Sequence, residues 1–233
     1  MKQTYLLPQV SIAANDLEVA YDGSLALSIN SLQVGGNTIG LIGHNGAGKT
    51  TFMKTLLNLL EPYKGRLYAR ELQSNKVLFP KYDMAFCPES GSVFADISVE
   101  SYIKLWCRVK KGDPDFYLKE EGKEIIDLFK ASELLPKLGR ELSKGQRRLI
   151  QTVIAFLITP QLILIDEPFD GLDIQKTSEL VELLTLKKPK TTYIISTHHM
   201  DVIEQLCDKL IVLRKGKVYT SGNVEYVIKQ LAP

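Results

Sequence analysis

The sequence predicts an α/β fold in which a largely parallel sheet carries helices on its faces and a helical lobe interrupts the core. Three observations predict it. Short apolar runs alternate with helical patterns early and late in the chain, the order that builds parallel βαβ units. A glycine-rich octapeptide, Gly43-His44-Asn45-Gly46-Ala47-Gly48-Lys49-Thr50, stands where one apolar run gives way to a helix. Residues 96–141 lose the alternation and read as amphipathic helices around Gly112-Asp113-Pro114.

Taken in order, apolar runs at residues 10–13, 17–21, 25–29 and 38–42 predict four short strands separated by polar breaks. Residues 50–60 place Phe52, Met53, Leu56, Leu57 and Leu60 at helical spacing, and Pro62 and Gly65 end that helix. A further strand is expected to end near Phe86, just before Cys87-Pro88-Glu89. Residues 99–109 and 117–130 predict the two helices of the insertion. Another helix follows Ser143, with Leu149, Ile150, Val153, Ile154 and Leu157 on one face, and stops before Pro160. Beyond it come a strand at 162–165, a helix at 174–186, a strand at 192–196 and a helix from Met200. Residues 210–213 and a strand from Lys217 predict a hairpin across Arg214-Lys215-Gly216. There is no internal repeat and no low-complexity linker.

The chain has 233 residues, 45% hydrophobic and 24% charged, which suits one large domain or a domain with an inserted lobe. A net charge of +2 without a basic block gives no sign of nucleic-acid binding. Cys87, Cys107 and Cys207 form no C-x-x-C pair, so they read as buried apolar residues in a reducing cytoplasm. The apolar stretch at Tyr5-Leu6-Leu7 is too short for a signal peptide. The longest apolar runs, at 149–158 and 162–165, fall short of the ~20 residues of a spanning helix. The chain is expected to be soluble, any membrane-spanning part being supplied by another chain.

Three segments carry chemistry. The octapeptide fits G-x-x-x-x-G-K-[ST] between a strand and a helix. Its glycines let successive N–H groups turn inward on phosphate oxygens, and the helix start adds positive dipole. Lys49 is placed to reach the β and γ phosphates, and the Thr50 hydroxyl to ligate Mg²⁺. His44 occupies a variable loop position and is expected to be exposed. The strand at 162–165 ends in Asp166 and Glu167: the first suits Mg²⁺ held through water opposite Thr50, the second a base for the attacking water. Taken alone, an apolar strand ending in two acids is as often structural. Leu142-Ser143-Lys144-Gly145-Gln146 opens a helix as a capping box, Ser143 with Gln146, a generic device. Gly145 adds close backbone approach, so this helix start is a second anion site. One γ-phosphate is not clamped by two such sites that face apart in a monomer, so a second subunit is the natural solution.

With these motifs in hand, the chain resembles the ATP-binding subunits of ABC transporters over roughly residues 10–227, in that family's motif order. The resemblance implies a P-loop NTPase (RecA-like) core, an N-terminal antiparallel β subdomain and an inserted α-helical subdomain, all in one domain over 1–233. The core and β subdomain take about 1–95 and 160–233; the helical subdomain, about 96–159, carries the signature. By resemblance Gly43 to Thr51 is the Walker A loop, so Thr51 joins the nucleotide contacts. Residues 142–146 are the signature, 162–167 Walker B, and Phe169-Asp170-Gly171-Leu172-Asp173 the D-loop at a dimer seam. Ser196-Thr197-His198 is the switch segment, with His198 hydrogen-bonding the γ-phosphate, and Tyr21 stacks on adenine. The expected activity is ATP hydrolysis with Mg²⁺. It is driven in a head-to-tail dimer, with a second copy or a homologous ATPase subunit, each of two ATPs lying between one Walker A and the other signature. An integral membrane permease is the further partner, which places the chain peripherally on the inner face of the cell membrane.

Two departures stand out. Lys144 replaces the usual glycine, a mark of the exporter-like ABC-2 branch. Glu89 stands where the family's Q-loop carries glutamine, and is expected to ligate metal or water and couple the nucleotide to the permease; the bland alternative is a solvated loop acid. Phe94, Tyr102 and Trp106 divide equally between a groove for the permease and lobe core. His198 and His199 are adjacent, and alternation along a strand sends neighbours to opposite sides, so no paired metal site is expected of them. Two other functions compete: a soluble ABC ATPase in a protein-assembly complex, and a P-loop kinase. The kinase is disfavoured because Glu167 directly follows Asp166 and a signature is present, both suited to water as acceptor.

Overall fold

A computed structural model describes residues 10–21, 23–158, 160–172, 174–187 and 191–231. The elements in order are β1 (Val10–Tyr21), β2 (Ser24–Gly36), β3 (Thr38–Ile42), α1 (Lys49–Leu56), β4 (Lys64–Glu71), α2 (Pro80–Asp83) and β5 (Met84–Cys87). Then follow α3 (Val99–Lys111), α4 (Glu120–Leu128), α5 (Lys144–Leu157), β6 (Leu162–Asp166), α6 (Ile174–Lys187), β7 (Thr192–Ser196), α7 (Met200–Leu206), β8 (Lys209–Arg214), β9 (Lys217–Asn223) and α8 (Val224–Leu231). Two compact units form: one from the chain up to Met84 and from Gln161 onward, the other from Ala85–Pro160.

In the first unit, β6-β7-β3-β8-β9 make a sheet in which β6, β7, β3 and β8 are parallel and β9 returns antiparallel. Every residue of β3, β6 and β7 is buried, which is why these strands read as unbroken apolar runs. Asp208 fixes one end of this sheet, its carboxylate accepting from the N–H groups of Asn37 and Thr38 at 2.9 Å each. Ile203 of α7 and Val227 of α8 bury against Ile42, Leu210 and Val212.

A second sheet, order β2-β1-β4, is antiparallel throughout. Here the sequence reading is corrected: the two strands expected at 10–13 and 17–21 are one. The exposed Asn15-Asp16 break survives as an irregularity, with Asp16 at φ 46° and a register shift against β4 between Asn15 and Glu18. Gly65 sits against it at φ 71°, where a Cβ would lie 2.2 Å from the Asp16 carbonyl oxygen. The helix expected to reach residue 60 stops at Leu56, because Asn58 turns left-handed at φ 55°.

The second unit is helical. Ser98 caps α3, accepting from the Ser101 N–H at 3.1 Å, and Gly112 closes it at φ 72°. Phe129 and Phe156 meet at 5.4 Å between centroids, tying the end of α4 to α5. Tyr102 is 6% exposed and belongs to this core, while Phe94, edge-on to it at 5.2 Å, is 58% exposed. Cys87 and Cys107 are buried, and burial pushes the Cys87 thiol up to about 12. Cys207 is only partly buried, which corrects the reading of all three as core residues. No helix among the described residues is long and apolar enough to cross a membrane.

Candidate active site

The glycine-rich loop leaves β3 at its buried end and turns into α1 through Gly48, whose φ of 104° excludes a side chain. A Cβ there would also stand 2.7 Å from the Leu27 side chain. Gly46, at φ 79°, faces open space. His44 and Asn45 are exposed at the tip, Ala47 is buried, and the Ala47 N–H donates to the His44 carbonyl at 2.9 Å. Thr51, the third residue of α1, is half-buried.

Two side chains from the start of α1 reach the end of β6. Lys49 is 7% exposed; its Nζ donates to the Gly43 carbonyl at 2.6 Å and pairs with Glu167 Oε1 at 3.0 Å. The Thr50 hydroxyl donates to Asp166 Oδ2 at 2.7 Å. A hydroxyl and a carboxylate are hard oxygen donors, and the pair therefore suits Mg²⁺ over a softer ion.

Ser196, at the end of β7, holds both acids. Its hydroxyl donates to Asp166 Oδ1 at 2.5 Å, and the Glu167 N–H is directed at its Oγ at 2.9 Å and its carbonyl at 3.1 Å. Glu167 adopts φ 47°, a left-handed backbone that costs a residue of this type about 1–3 kcal/mol. The hydrogen bonds that the Glu167 N–H donates to Ser196 hold that turn. Sequence reasoning placed Ser196 in the switch segment without a task of its own; its signal was a polar residue closing an apolar strand.

His198 Nδ1 lies 3.3 Å from Glu167 Oε2 and 3.8 Å from Asp170 Oδ1. The reading of His198 and His199 as pointing apart is overturned. β7 ends at Ser196, so strand alternation does not govern them, and their rings stack at 4.5 Å. Asp173, at the end of the D-loop segment, lies outside the described residues. Tyr21 ends β1 and is 42% exposed.

The remaining sites belong to the second unit. Ser143 Oγ accepts from the Gln146 N–H at 3.2 Å, and Gln146 Oε1 accepts from the Ser143 N–H at 3.0 Å, completing the capping box. Leu142 is buried and anchors this helix start, while Ser143, Lys144 and Gly145 are exposed. A Cβ on Gly145 would meet nothing within 4 Å, so packing within the molecule does not require glycine there. Glu89 is exposed, in a loop that rests on α5 through Gly91, where a Cβ would lie 2.3 Å from the Arg148 nitrogen.

A lysine and a threonine hydroxyl at a helix start, set against paired acids at a strand end, define a P-loop ATPase. Residues 28–170 match the ABC transporter family, and the chain belongs to it. It is 32% identical over 202 residues to an uncharacterized ABC transporter ATP-binding protein of Methanocaldococcus jannaschii, covering 84% of this chain and 71% of that one. Against the lipopolysaccharide export system ATP-binding protein LptB of Haemophilus influenzae, identity is 28% over 224 residues, 93% of this chain and 92% of LptB. A solved structure described as the ATP binding subunit of an ABC transporter superposes with a TM-score of 0.81 at 26% identity, covering 94% and 92% of the two chains. The chain is accordingly an ATP-binding, ATP-hydrolysing subunit of an ABC transporter, on a P-loop NTPase fold.

Proposed function

We propose that this chain is the motor of an exporter: two copies, or this chain and a homologous subunit, close head to tail on two ATPs and drive an integral membrane permease. The export direction is supported by Lys144 and by likeness to an export-system subunit. The observation that carries the dimer is Gly145, a glycine that its own unit does not require, beside an exposed Ser143 on a capped helix start. That start offers a hydroxyl, free N–H groups and helix dipole to an anion.

The chemistry assigns each group one task. Lys49 exchanges Glu167 for the β and γ phosphates when ATP enters, and this frees Glu167 to orient and deprotonate water. His198 steadies the γ-phosphate. Ser143, Gly145 and Gln146 of the opposite subunit cap it, and Tyr21 stacks on adenine. Residues 43–51 cradle the phosphates. Thr50 and Asp166 would hold Mg²⁺. The ion's contribution is to spread phosphate charge. ATP binding closes the dimer and hydrolysis reopens it, which moves the permease.

The test is Glu167→Gln. It is expected to bind ATP, to hydrolyse it about 10²–10⁴-fold more slowly, and to elute as a dimer with Mg-ATP. A variant that stays monomeric with Mg-ATP overturns the dimer. Recovery of the chain in a complex lacking any membrane protein overturns the permease coupling.

A further inference from the structure

Beside the phosphate-binding groups, His198 shares a cluster of donor atoms with two residues that the reaction proposed above does not use. His198 and His199 follow β7, in the short loop that leads into α7. Their rings stack with centroids 4.5 Å apart and 28° between planes. Asp170, in the turn after β6, faces both: its Oδ1 lies 3.8 Å from His198 Nδ1 and 3.6 Å from His199 Nε2. One donor atom from each of the three residues falls within 4.8 Å of the others. Two of the chain's three histidines thus converge on one carboxylate.

We propose that Asp170, His198 and His199 form a binding site for a divalent transition-metal ion, Zn²⁺ by the chemistry of its donors, and that its occupation shuts off hydrolysis. Zinc bonds to nitrogen and oxygen at about 2.0–2.2 Å in a tetrahedron, which spaces its ligand atoms about 3.3–3.5 Å apart. The two measured separations from Asp170 exceed that by a few tenths of an ångström. All three groups are partly exposed, the two rings by 55% and 39% and Asp170 by 38%, so an ion has access and the side chains have room to close on it. Two imidazoles select zinc, cobalt, nickel or copper over Mg²⁺, which prefers oxygen ligands and gives up water reluctantly.

The consequence for catalysis rests on the function proposed above. Glu167 Oε2 lies 3.3 Å from His198 Nδ1, while Oε1 is taken by Lys49. An ion on His198 Nδ1 therefore has a fourth ligand at hand in Glu167. Bound so, it holds the water-activating carboxylate and draws His198 from the γ-phosphate. The reaction proposed above gives His199 no task, which makes it the residue to change.

The experiment is calorimetric titration of the nucleotide-free chain with Zn²⁺, alongside Co²⁺ followed by its visible absorption. The expected result is one equivalent per chain, a four-coordinate cobalt spectrum, and affinity at least about tenfold weaker in both His199→Ala and Asp170→Asn. His44→Ala, which removes the third histidine, leaves the titration unchanged. Curves for His199→Ala and Asp170→Asn that superimpose on wild type overturn the site. In a second measurement, Zn²⁺ inhibits steady-state ATPase of wild type but not of His199→Ala, whose rate without zinc stays near wild type. Zinc that binds as expected but leaves wild-type hydrolysis untouched retains the metal site and overturns its inhibitory role, while the role of Glu167 is decided separately by Glu167→Gln.

Discussion

At Glu167 the backbone departs from what its side chain prefers, and the reason lies at the end of the next strand in sequence. A left-handed glutamate persists only where its surroundings fix it. Ser196 does so, through its Oγ and its carbonyl, while the same hydroxyl donates to Asp166. One serine therefore positions both acids, Asp166 and Glu167, together. Ser196→Ala is expected to destabilise the fold by about 1–3 kcal/mol, because buried Asp166 loses a donor. It is also expected to lower kcat more than ATP affinity, since the triphosphate is gripped by the loop before α1. Chemical denaturation and steady-state kinetics read the two effects separately. An unchanged kcat would show that the Ser196 carbonyl alone holds Glu167. Lys49 makes the complementary case. Its present partner is Glu167, and ATP must displace that ion pair, so Lys49→Ala removes the phosphate contact and calorimetry should register little or no ATP binding.

At the scale of the element, α5 has two roles that one pair of substitutions separates. Its capping box is an ordinary helix start, and Ser143→Ala should cost about 1 kcal/mol of stability whatever the chain does. Gly145 is the discriminating position. Alanine there meets nothing within 4 Å and is the better helix former by roughly 0.8–1.0 kcal/mol. Gly145→Ala is thus expected to leave stability equal or raised while ATPase activity falls, a pair of readouts that a merely structural glycine would not give. How legible each element was follows from the same physics. β3, β6 and β7 are buried on both faces, so they stood out as apolar runs, and the acids that end β6 came with them. β4 went unseen because its residues are mostly charged or half-exposed and its pairing with β1 is long-range. The phosphate loop and the capping box were legible because their spacing is local. The Lys49–Glu167 pair and the anchoring by Ser196 were not, since each depends on where segments distant in sequence meet, and the stacking of His198 on His199 was not, since β7 ends before them.

At the scale of the whole molecule, the proposal divides each catalytic site between two chains, and this makes a demand that no single-chain reading shares. Lys49→Ala damages the phosphate loop and leaves the signature intact. Gly145→Asp does the reverse, and its added charge repels phosphate. In each homodimer both sites carry one damaged half, so each variant alone should be inactive. In the mixed dimer one site combines both damaged halves, and the other combines the intact loop of one chain with the intact signature of its partner. Random exchange makes about half the dimers mixed, each with one working site of two, so an equimolar mixture should recover about a quarter of wild-type ATPase activity per chain. The recovery should require ATP-driven association and should vanish on dilution, when the dimer no longer forms. Were each site built within one chain, both variants would stay inactive in any mixture, because no exchange of partners repairs a site that a chain must complete alone.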